Sequence, residues 1–500
     1  MKNLSPQIKH EQYFTTDHLK ADLKSRSVRG GAITMLAQIL KFSLTLGSNM
    51  LLGRLLTPQD YGLVGMVTAV TGFVTLFKDL GLSMATIQKD EINHQQVSTL
   101  FWVNLGLSGV TAIISIAIAP LISSFYQEPR LMAITLALAA GFIISGLGIQ
   151  HSALLNRQMQ YRVLMVNDVC SNLLGIICAI VAAWYGWGYW ALVIMPLVNA
   201  TVNTIGVWIT CQWRPGLPTR RVGVRSLLVF GGHLTGFSIV NYFARHLDNI
   251  LIGRYWGAQQ LGQYAKAYQL LLLPLNQINV PITNVAIPSL SRLQNEPDKF
   301  RDYYLKALSA IAFLTMPITT LMIVVSEELI GTILGSQWGD AIKLFRILSI
   351  SALFQPICNT TGWLYISRGK SDRMLKWGVF YSSLVVISFL IGLPYQAYGV
   401  ALSYGIVMLL QVFPCIYFAT RGTSITVFDV IKTVREILTA CIVAGATVLF
   451  LKTIIGVYLP MGIALIIYCC VMTVVYLLFM FYVFNHSSMY LQLLGKFKAK

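Results

Sequence analysis

Long apolar runs separated by short polar stretches dominate the chain from residue 30 onward. They can be drawn at 30–53, 60–83, 97–124, 131–153, 163–186 and 188–211. A second set falls at 226–253, 259–290, 304–326, 341–366, 374–393, 396–419, 433–456 and 460–484. A hydrocarbon core about 30 Å thick is crossed by roughly 20 helical residues, and every run meets that length. In lipid, backbone polar groups have to be satisfied within the segment, so the runs are predicted to be helices. The pattern thus predicts an all-α integral membrane protein of about fourteen transmembrane helices.

The polar stretches between the runs alternate in charge. Lys2, Lys9, Lys20, Lys24, Arg26 and Arg29 precede the first run, Lys89 follows the second, and Arg157 and Arg162 follow the fourth. Arg214, Arg220, Arg221 and Arg225 follow the sixth, Arg292, Lys299 and Arg301 the eighth, and Arg368, Lys370 and Arg373 the tenth. Arg421, Lys432 and Arg435 flank the turn after the twelfth, and Lys496, Lys498 and Lys500 lie in the tail. The intervening stretches hold few cations, namely Arg54, Arg130, Arg254 and Lys452, with Lys343 and Arg346 near a helix start. Cytoplasmic loops carry the Lys and Arg excess, so both termini are expected in the cytoplasm. The opposite side instead carries Trp184, Tyr185, Trp187, Tyr189 and Trp190 around one turn, the pattern of an interfacial belt. A sugar-stacking platform is the alternative.

Composition agrees with a membrane assignment. Hydrophobic residues make up 56% of the chain and charged residues 11%, with a mean hydropathy of +0.66. A soluble domain carries about 25% charged residues, so this chain lacks the charge to cover a water-facing exterior. The net charge of +18 would suit a nucleic-acid binder, but the cations recur between apolar runs instead of forming one patch with interleaved aromatics. The eight cysteines include no Cys-x-x-Cys pair and imply neither a disulfide framework nor a zinc site. Residues 1–29 are polar and mixed in charge, with no cleavable apolar region, and read as a cytoplasmic arm with an amphipathic helix around Thr16–Arg26.

The chain also repeats itself at an offset of 200 residues. Asn49, Leu51, Gly53 and Arg54 match Asn249, Leu251, Gly253 and Arg254; Gln59 and Gly62 match Gln259 and Gly262; and Gly31 matches Gly231. Both copies sit where one helix ends and the next begins, which suggests a packing or turn requirement. An even number of helices separates them, so the halves share one orientation, and parallel repeats enclose a cavity between them. The expected organisation is the arm at 1–29, a six-helix bundle at 30–211, a basic cytoplasmic linker at 212–225, a second six-helix bundle at 226–420, and two additional helices with a basic tail at 421–500. Pro274, Pro281 and Pro288, seven residues apart, predict a bent eighth helix.

Four segments carry a family resemblance. Gly53-Arg54-Leu-Leu-Thr57-Pro58-Gln-Asp60-Tyr61-Gly62-Leu63 resembles the signature of Wzx-type polysaccharide repeat-unit flippases, and so does Phe77-Lys78-Asp79-Leu80-Gly81-Leu82-Ser83. The likeness extends to Asp248-Asn249-Ile-Leu-Ile-Gly253 and to Pro288-Ser-Leu-Ser-Arg292-Leu-Gln294, and is strongest to the colanic acid exporter branch. It covers nearly the whole chain and is least distinctive in the last two helices. The resemblance implies a multidrug/oligosaccharidyl-lipid/polysaccharide exporter fold. It implies as substrate an oligosaccharide on undecaprenyl pyrophosphate, moved to the periplasmic leaflet of a bacterial inner membrane for exopolysaccharide or lipopolysaccharide synthesis, in company with polymerase machinery. No cofactor is expected.

Ionisable side chains inside apolar runs are expensive and usually face a cavity or a partner. A pyrophosphate leaving water needs cations and donors in its place. Lys41, Lys78, Arg245 and Lys266 are therefore the candidate substrate-binding residues. Snorkelling of Lys78 to the headgroups and an Arg245–Asp248 helical pair are the bland alternatives. Asp79, Asp168 and Asp248, with Glu436, are candidates either for coupling to a proton or sodium gradient or for pairing with nearby cations. No Gly-x-x-x-x-Gly-Lys-Ser/Thr loop occurs, which excludes P-loop ATP hydrolysis. A multidrug exporter of the same fold, or a membrane polysaccharide polymerase or ligase, is the rival. The first should have an acidic cavity, and the second a catalytic outer loop. The longest expected outer loop, Glu327–Asp340, offers no evident nucleophile or acid–base pair.

Overall fold

The computed structural model describes residues 14, 23–75, 82–88, 92–218, 224–456 and 458–484. Among them the secondary structure is helical throughout, with no strand. By length and mean hydropathy, ten helices among the described residues qualify as candidate spans, or eleven if the pair 336–352 and 355–367, bent by 41°, is counted as one. Two of the ten are interrupted: 246–292 is broken at Gly257, and 371–420 takes in three helices, Ser371–Gly392, Gln396–Leu410 and Val412–Thr420. With Pro58–Thr75 included, every apolar run drawn from the sequence contains helix. The stretch 15–22, most of the expected amphipathic segment ahead of Leu23, lies outside the described residues.

The chain divides into two compact units, residues 1–262 and 263–500. The first contains α1 (Leu23–Leu55), α2 (Pro58–Thr75), α3 (Leu82–Gln88), α4 (His94–Tyr126), α5 (Arg130–Arg157), α6 (Tyr161–Trp184), α7 (Trp190–Thr210) and the first arm of α8 (Val224–Arg292). α4 pairs with α5, and α6 with α7; α5 packs on α7 and α1 on α6. Small residues permit these close approaches: a Cβ on Gly175 would press on the Met195 carbonyl, and one on Gly206 would overlap the Asn167 side chain. Asn167 Nδ2 also donates to the Asn203 carbonyl at 3.0 Å, a polar tie of the kind that holds helices together in lipid.

The helix starts follow local chemistry. α4 opens with a capping box, Asn93 Oδ1 accepting from the Gln96 N–H and Gln96 Oε1 from the Asn93 N–H. α2 opens the same way: Asp60 Oδ2 accepts from the Thr57 N–H at 2.9 Å and Pro58 takes the first helical position. The Thr57-Pro58-Gln59-Asp60 string is thus a helix-start device.

The first half of the expected linker is docked. Trp213 is fully buried and its Nε1 donates to His94 Nδ1 at 3.0 Å. The Gly216 N–H donates to Ser98 Oγ at 2.9 Å, and its carbonyl accepts from Trp102 Nε1 at 2.9 Å. Arg214 Nη1 donates to the carbonyls of Trp208, Cys211 and Trp213 at the end of α7. Cys211, which ends α7, is fully buried beside Trp213. Trp213→Ala is expected to destabilise the first unit by about 3–5 kcal/mol, read as a lower midpoint in thermal unfolding of the detergent-solubilised protein.

The second unit contains the rest of α8, α9 (Pro297–Val324), α10 (Ser326–Ile333), α11 (Gly339–Ala352), α12 (Gln355–Ser367), α13 (Ser371–Gly392), α14 (Gln396–Leu410), α15 (Val412–Thr420), α16 (Val427–Ile455) and α17 (Met461–Leu478). α9 is its central element and packs on α11 and α16. Tyr304, Leu308, Ile311 and Met316 from α9 join Val434, Ala440 and Ala444 from α16 in one buried cluster, to which Tyr468 and Met472 of α17 belong. Arg301 grips Asp429 through two parallel bonds of 3.1 and 2.6 Å, tying the start of α9 to that of α16. Pro274, Pro281 and Pro288 all lie within α8, whose non-helical residue is Gly257.

Candidate functional site

The duplicated motif explains how α8 is seated in the first unit. In the first copy Thr57 and Pro58 start α2; in the second, Gly257, at φ 79° and ψ 179°, breaks α8 so that a second arm starts at Ala258. That backbone conformation is open to glycine at little cost. Four residues past each start lies the matched glycine. A Cβ on Gly62 would overlap the Ala258 carbonyl oxygen, and a Cβ on Gly262 would overlap that of Pro58. The contact is reciprocal: each copy presents its glycine to the first carbonyl of the other. Farther along α2, Gly72 lies under the Tyr242 phenol, which donates to the carbonyls of Thr68 and Ala69 at 3.1 and 2.9 Å. Arg254 stacks over Phe125 and Tyr255, each 5.7 Å from ring centre to guanidinium.

Against this scaffold the candidate charges fall in different places. Lys41 is on α1 and Asp168 on α6. Gly30 of α1 lies under the ring of Tyr161 where α6 begins, and Leu52 and Leu56 near the end of α1 pack on Ala179, Ala182 and Ala183 near the end of α6. The two helices therefore run parallel, as the first and fifth crossings of an alternating chain must. Between these contacts, Lys41 Nζ forms an ion pair with Asp168 Oδ2. Asn172, one turn on, donates from Nδ2 to the Asp168 carbonyl at 2.8 Å and to Oδ1 at 3.3 Å. The side chains of Lys41 and Asp168 remain 39% and 38% exposed. A lone charge at mid-membrane costs about 2.5–3.5 kcal/mol on insertion scales, and pairing offsets much of that.

Asp248 is buried on the first arm of α8, and its Oδ1 accepts from the Asn249 N–H at 2.7 Å. Lys266 is on the second arm, in the second unit, and is only 3% exposed. One turn earlier, Gln263 donates to the Gln337 carbonyl at 3.1 Å and accepts from the Ala341 N–H at 3.0 Å, clamping the start of α11. Lys78, Asp79 and the side chain of Arg245 lie outside the described residues. The structure therefore brings together Lys41 and Asp168 from the candidate set. Sequence reasoning passed over Asn172, although its four-residue spacing from Asp168 places it on the same helix face.

The loop that would serve an enzyme is used for structure. Residues Ser326–Ile333 form α10, and Trp338 is fully buried. Lys452 pairs with Glu328 at 2.8 Å and with Glu327 at 3.6 Å. The buried Glu328 thereby ties α10 to the end of α16, and Glu327 flanks the pair. On the first unit's short turn, the guanidinium of Arg130 beside Glu128 holds that carboxyl below its ordinary range.

Residues 51–343 match a family described as polysaccharide biosynthesis protein. The chain is similar to the lipopolysaccharide biosynthesis protein WzxC of Escherichia coli K12, with 26% identity over 372 residues covering 74% of this chain and 76% of that protein. It is similar to the teichuronic acid biosynthesis protein TuaB of Bacillus subtilis, with 27% identity over 365 residues covering 72% and 74%. Among solved structures, the lipid II flippase MurJ in an inward closed conformation superposes with a TM-score of 0.72 at 14% identity, covering 92% of this chain and 99% of that one. An inward-facing multidrug resistance MATE family transporter superposes with a TM-score of 0.59 at 16% identity, covering 77% and 94%. The chain shares the fold of these two transporters, and the match over more than half of its length places it in the polysaccharide biosynthesis protein family.

Proposed function

We propose that this multi-pass membrane protein is a flippase that moves undecaprenyl-pyrophosphate-linked oligosaccharide repeat units across the bacterial inner membrane by alternating access, with both termini in the cytoplasm. The observation that carries the reading is the accessible Lys41–Asp168 pair inside two membrane-crossing helices. A pyrophosphate entering the site competes with Asp168 for the Lys41 ammonium, which as a point charge suits phosphate without fixing its orientation. Asp168, released from Lys41 but still bonded to Asn172, then becomes a group that a proton or sodium ion can neutralise. This gives one physical route by which an ion gradient drives the cycle. Lys78, Arg245 and Lys266 are proposed as further cations along the path. A cationic drug gains nothing from Lys41, and the pairing of Glu328 with Lys452 gives that acid of the expected outer loop a structural use. The reading also agrees with the biosynthetic names of the relatives.

The test uses a cell lacking the gene, with its glycosyltransferases intact. Lipid-linked repeat units should accumulate on the cytoplasmic leaflet and return to normal when the gene is restored. Complete units reaching the outer leaflet at the normal rate in its absence would exclude the flippase. If those units also stayed unpolymerised, the polymerase reading would take its place.

A further inference from the structure

Three helix ends of the second unit meet around one turn. α12 ends at Ser367, α13 starts at Ser371, and α15 ends at Thr420, just before a turn at 421–422. α12 packs on both of the others. Arg368, at the end of α12, donates to the Gly422 carbonyl. Arg373, in the first turn of α13, donates from Nη1 to the Arg421 carbonyl at 3.2 Å. Nitrogens of the two guanidinia lie 3.8 and 4.0 Å from the place a Gly422 Cβ would take, so both flank the same small space. The Arg421 side chain leaves from this turn and is exposed.

Capping the carbonyls after α15 is one use for these cations, but it engages one of the five N–H groups on each guanidinium. Among the described residues neither makes another hydrogen bond, and no carboxylate lies within ion-pair distance of Arg368, Arg373 or Arg421. Partial burial and the neighbouring Arg373 guanidinium push Arg368 below its ordinary value. Like charges are thus held together without a counter-charge, which favours an anion beside them.

The surface next to them is apolar. Trp377 and Phe380 follow Arg373 at four and seven residues, on one face of α13. Phe418 lies one turn before Arg421 on α15. The Trp377 ring centroid is 5.2 Å from that of Phe418 and 5.7 Å from that of Phe380, and both phenylalanines are exposed. Cations at helix ends, continued along the span by an aromatic strip, suit a ligand with a negative headgroup and an acyl chain. A free phosphate would use the arginines and leave the strip unmatched.

We propose that Arg368, Arg373 and Arg421, with the strip of Trp377, Phe380 and Phe418, bind an anionic phospholipid of the leaflet at this end of the second unit. The phosphodiester accepts from the guanidinia, and an acyl chain lies along the rings. The proposed orientation makes this the cytoplasmic leaflet, and the site does not depend on what the protein transports.

Native mass spectrometry of the full chain in detergent tests this. Dioleoyl phosphatidylglycerol is titrated against dioleoyl phosphatidylcholine, which has the same chains and no net charge. The unaltered protein should prefer the glycerol lipid by about tenfold or more. Arg421→Gln removes no side-chain bond seen among the described residues and should weaken phosphatidylglycerol binding by about fivefold. Arg373→Gln combined with Arg421→Gln should abolish the preference. Lys432→Gln combined with Arg435→Gln removes the same charge from exposed positions on α16 and should keep it. Equal losses in the two double variants, or equal affinity of the unaltered protein for the two lipids, would overturn the proposal. Undecaprenyl phosphate added at equal concentration should leave the phosphatidylglycerol bound; its displacement would instead assign the arginines to the carrier lipid.

Discussion

Lys41→Ala is expected to abolish export of lipid-linked repeat units while leaving a folded, membrane-inserted protein. The ammonium lies within the candidate span 33–55 and keeps 39% of its side-chain surface exposed, and alanine cannot replace its charge. The single variant also leaves Asp168 without its ion-pair partner. Because both side chains are more than a third exposed, that structural penalty is discounted to about 1–2 kcal/mol. A second variant separates the two effects. Lys41→Ala combined with Asp168→Asn removes both charges, so expression and thermal stability should recover while export should not. Lys41→Arg should retain part of the activity, since the guanidinium keeps the charge but presents it as a planar fork. The readout is the leaflet distribution of lipid-linked oligosaccharide in cells carrying each variant. Normal export by the doubly neutral variant would assign the pair to structure alone.

Gly62→Val and Gly262→Val are expected to be the most disruptive single changes in the first unit. Each would drive a side chain into a backbone carbonyl, and unlike a flexible side-chain tip that carbonyl cannot rotate away. The start of α2 and the start of the second arm of α8 would have to separate, at a cost on the order of 3 kcal/mol or more for each. Because the contact is reciprocal, the two penalties share one cause. Once the first valine has forced the helices apart, the second costs less, so the double variant should be clearly less destabilised than the sum of the singles. Gly31 supplies the contrast. It belongs to the same repeat match, yet open space surrounds it. Gly31→Ala should therefore be neutral or stabilising by about 0.5–1 kcal/mol through helix propensity. Additive penalties at 62 and 262, or a matching loss at 31, would show that the reciprocal contact does not hold the two starts together. Unfolding midpoints of the purified protein measure all four variants.

Much of this fold was legible because a membrane simplifies the code. Lipid requires the backbone polar groups of a crossing to be satisfied by helix and its surface to be apolar, so the helical segments follow from one-dimensional patterning. The Thr57-Pro58-Gln59-Asp60 start is local too, since a capping box acts within three residues, although in the sequence those letters served only the family resemblance. The duplication at an offset of 200 was visible as matched letters, and its location at a turn pointed to a packing requirement.

The sequence alone therefore determined the class of the protein, its helical segments, its internal repeat and the short set of charges that lipid would penalise. Tertiary structure decided which of those charges meet. Lys41 and Asp168 lie more than a hundred positions apart, and their pairing depends on α1 and α6 lying side by side in parallel, which hydropathy does not encode. It also decided that Asn172 bonds Asp168, that Lys266 is enclosed, and that the first half of the expected basic linker is anchored by Trp213. The function of the matched glycines was likewise hidden, because a missing Cβ has meaning only against the atom that occupies its place. Local rules and lipid solvation act along the chain and can be read there. Close approach between distant backbones is a property of the folded surface, and it decides where the chemistry sits.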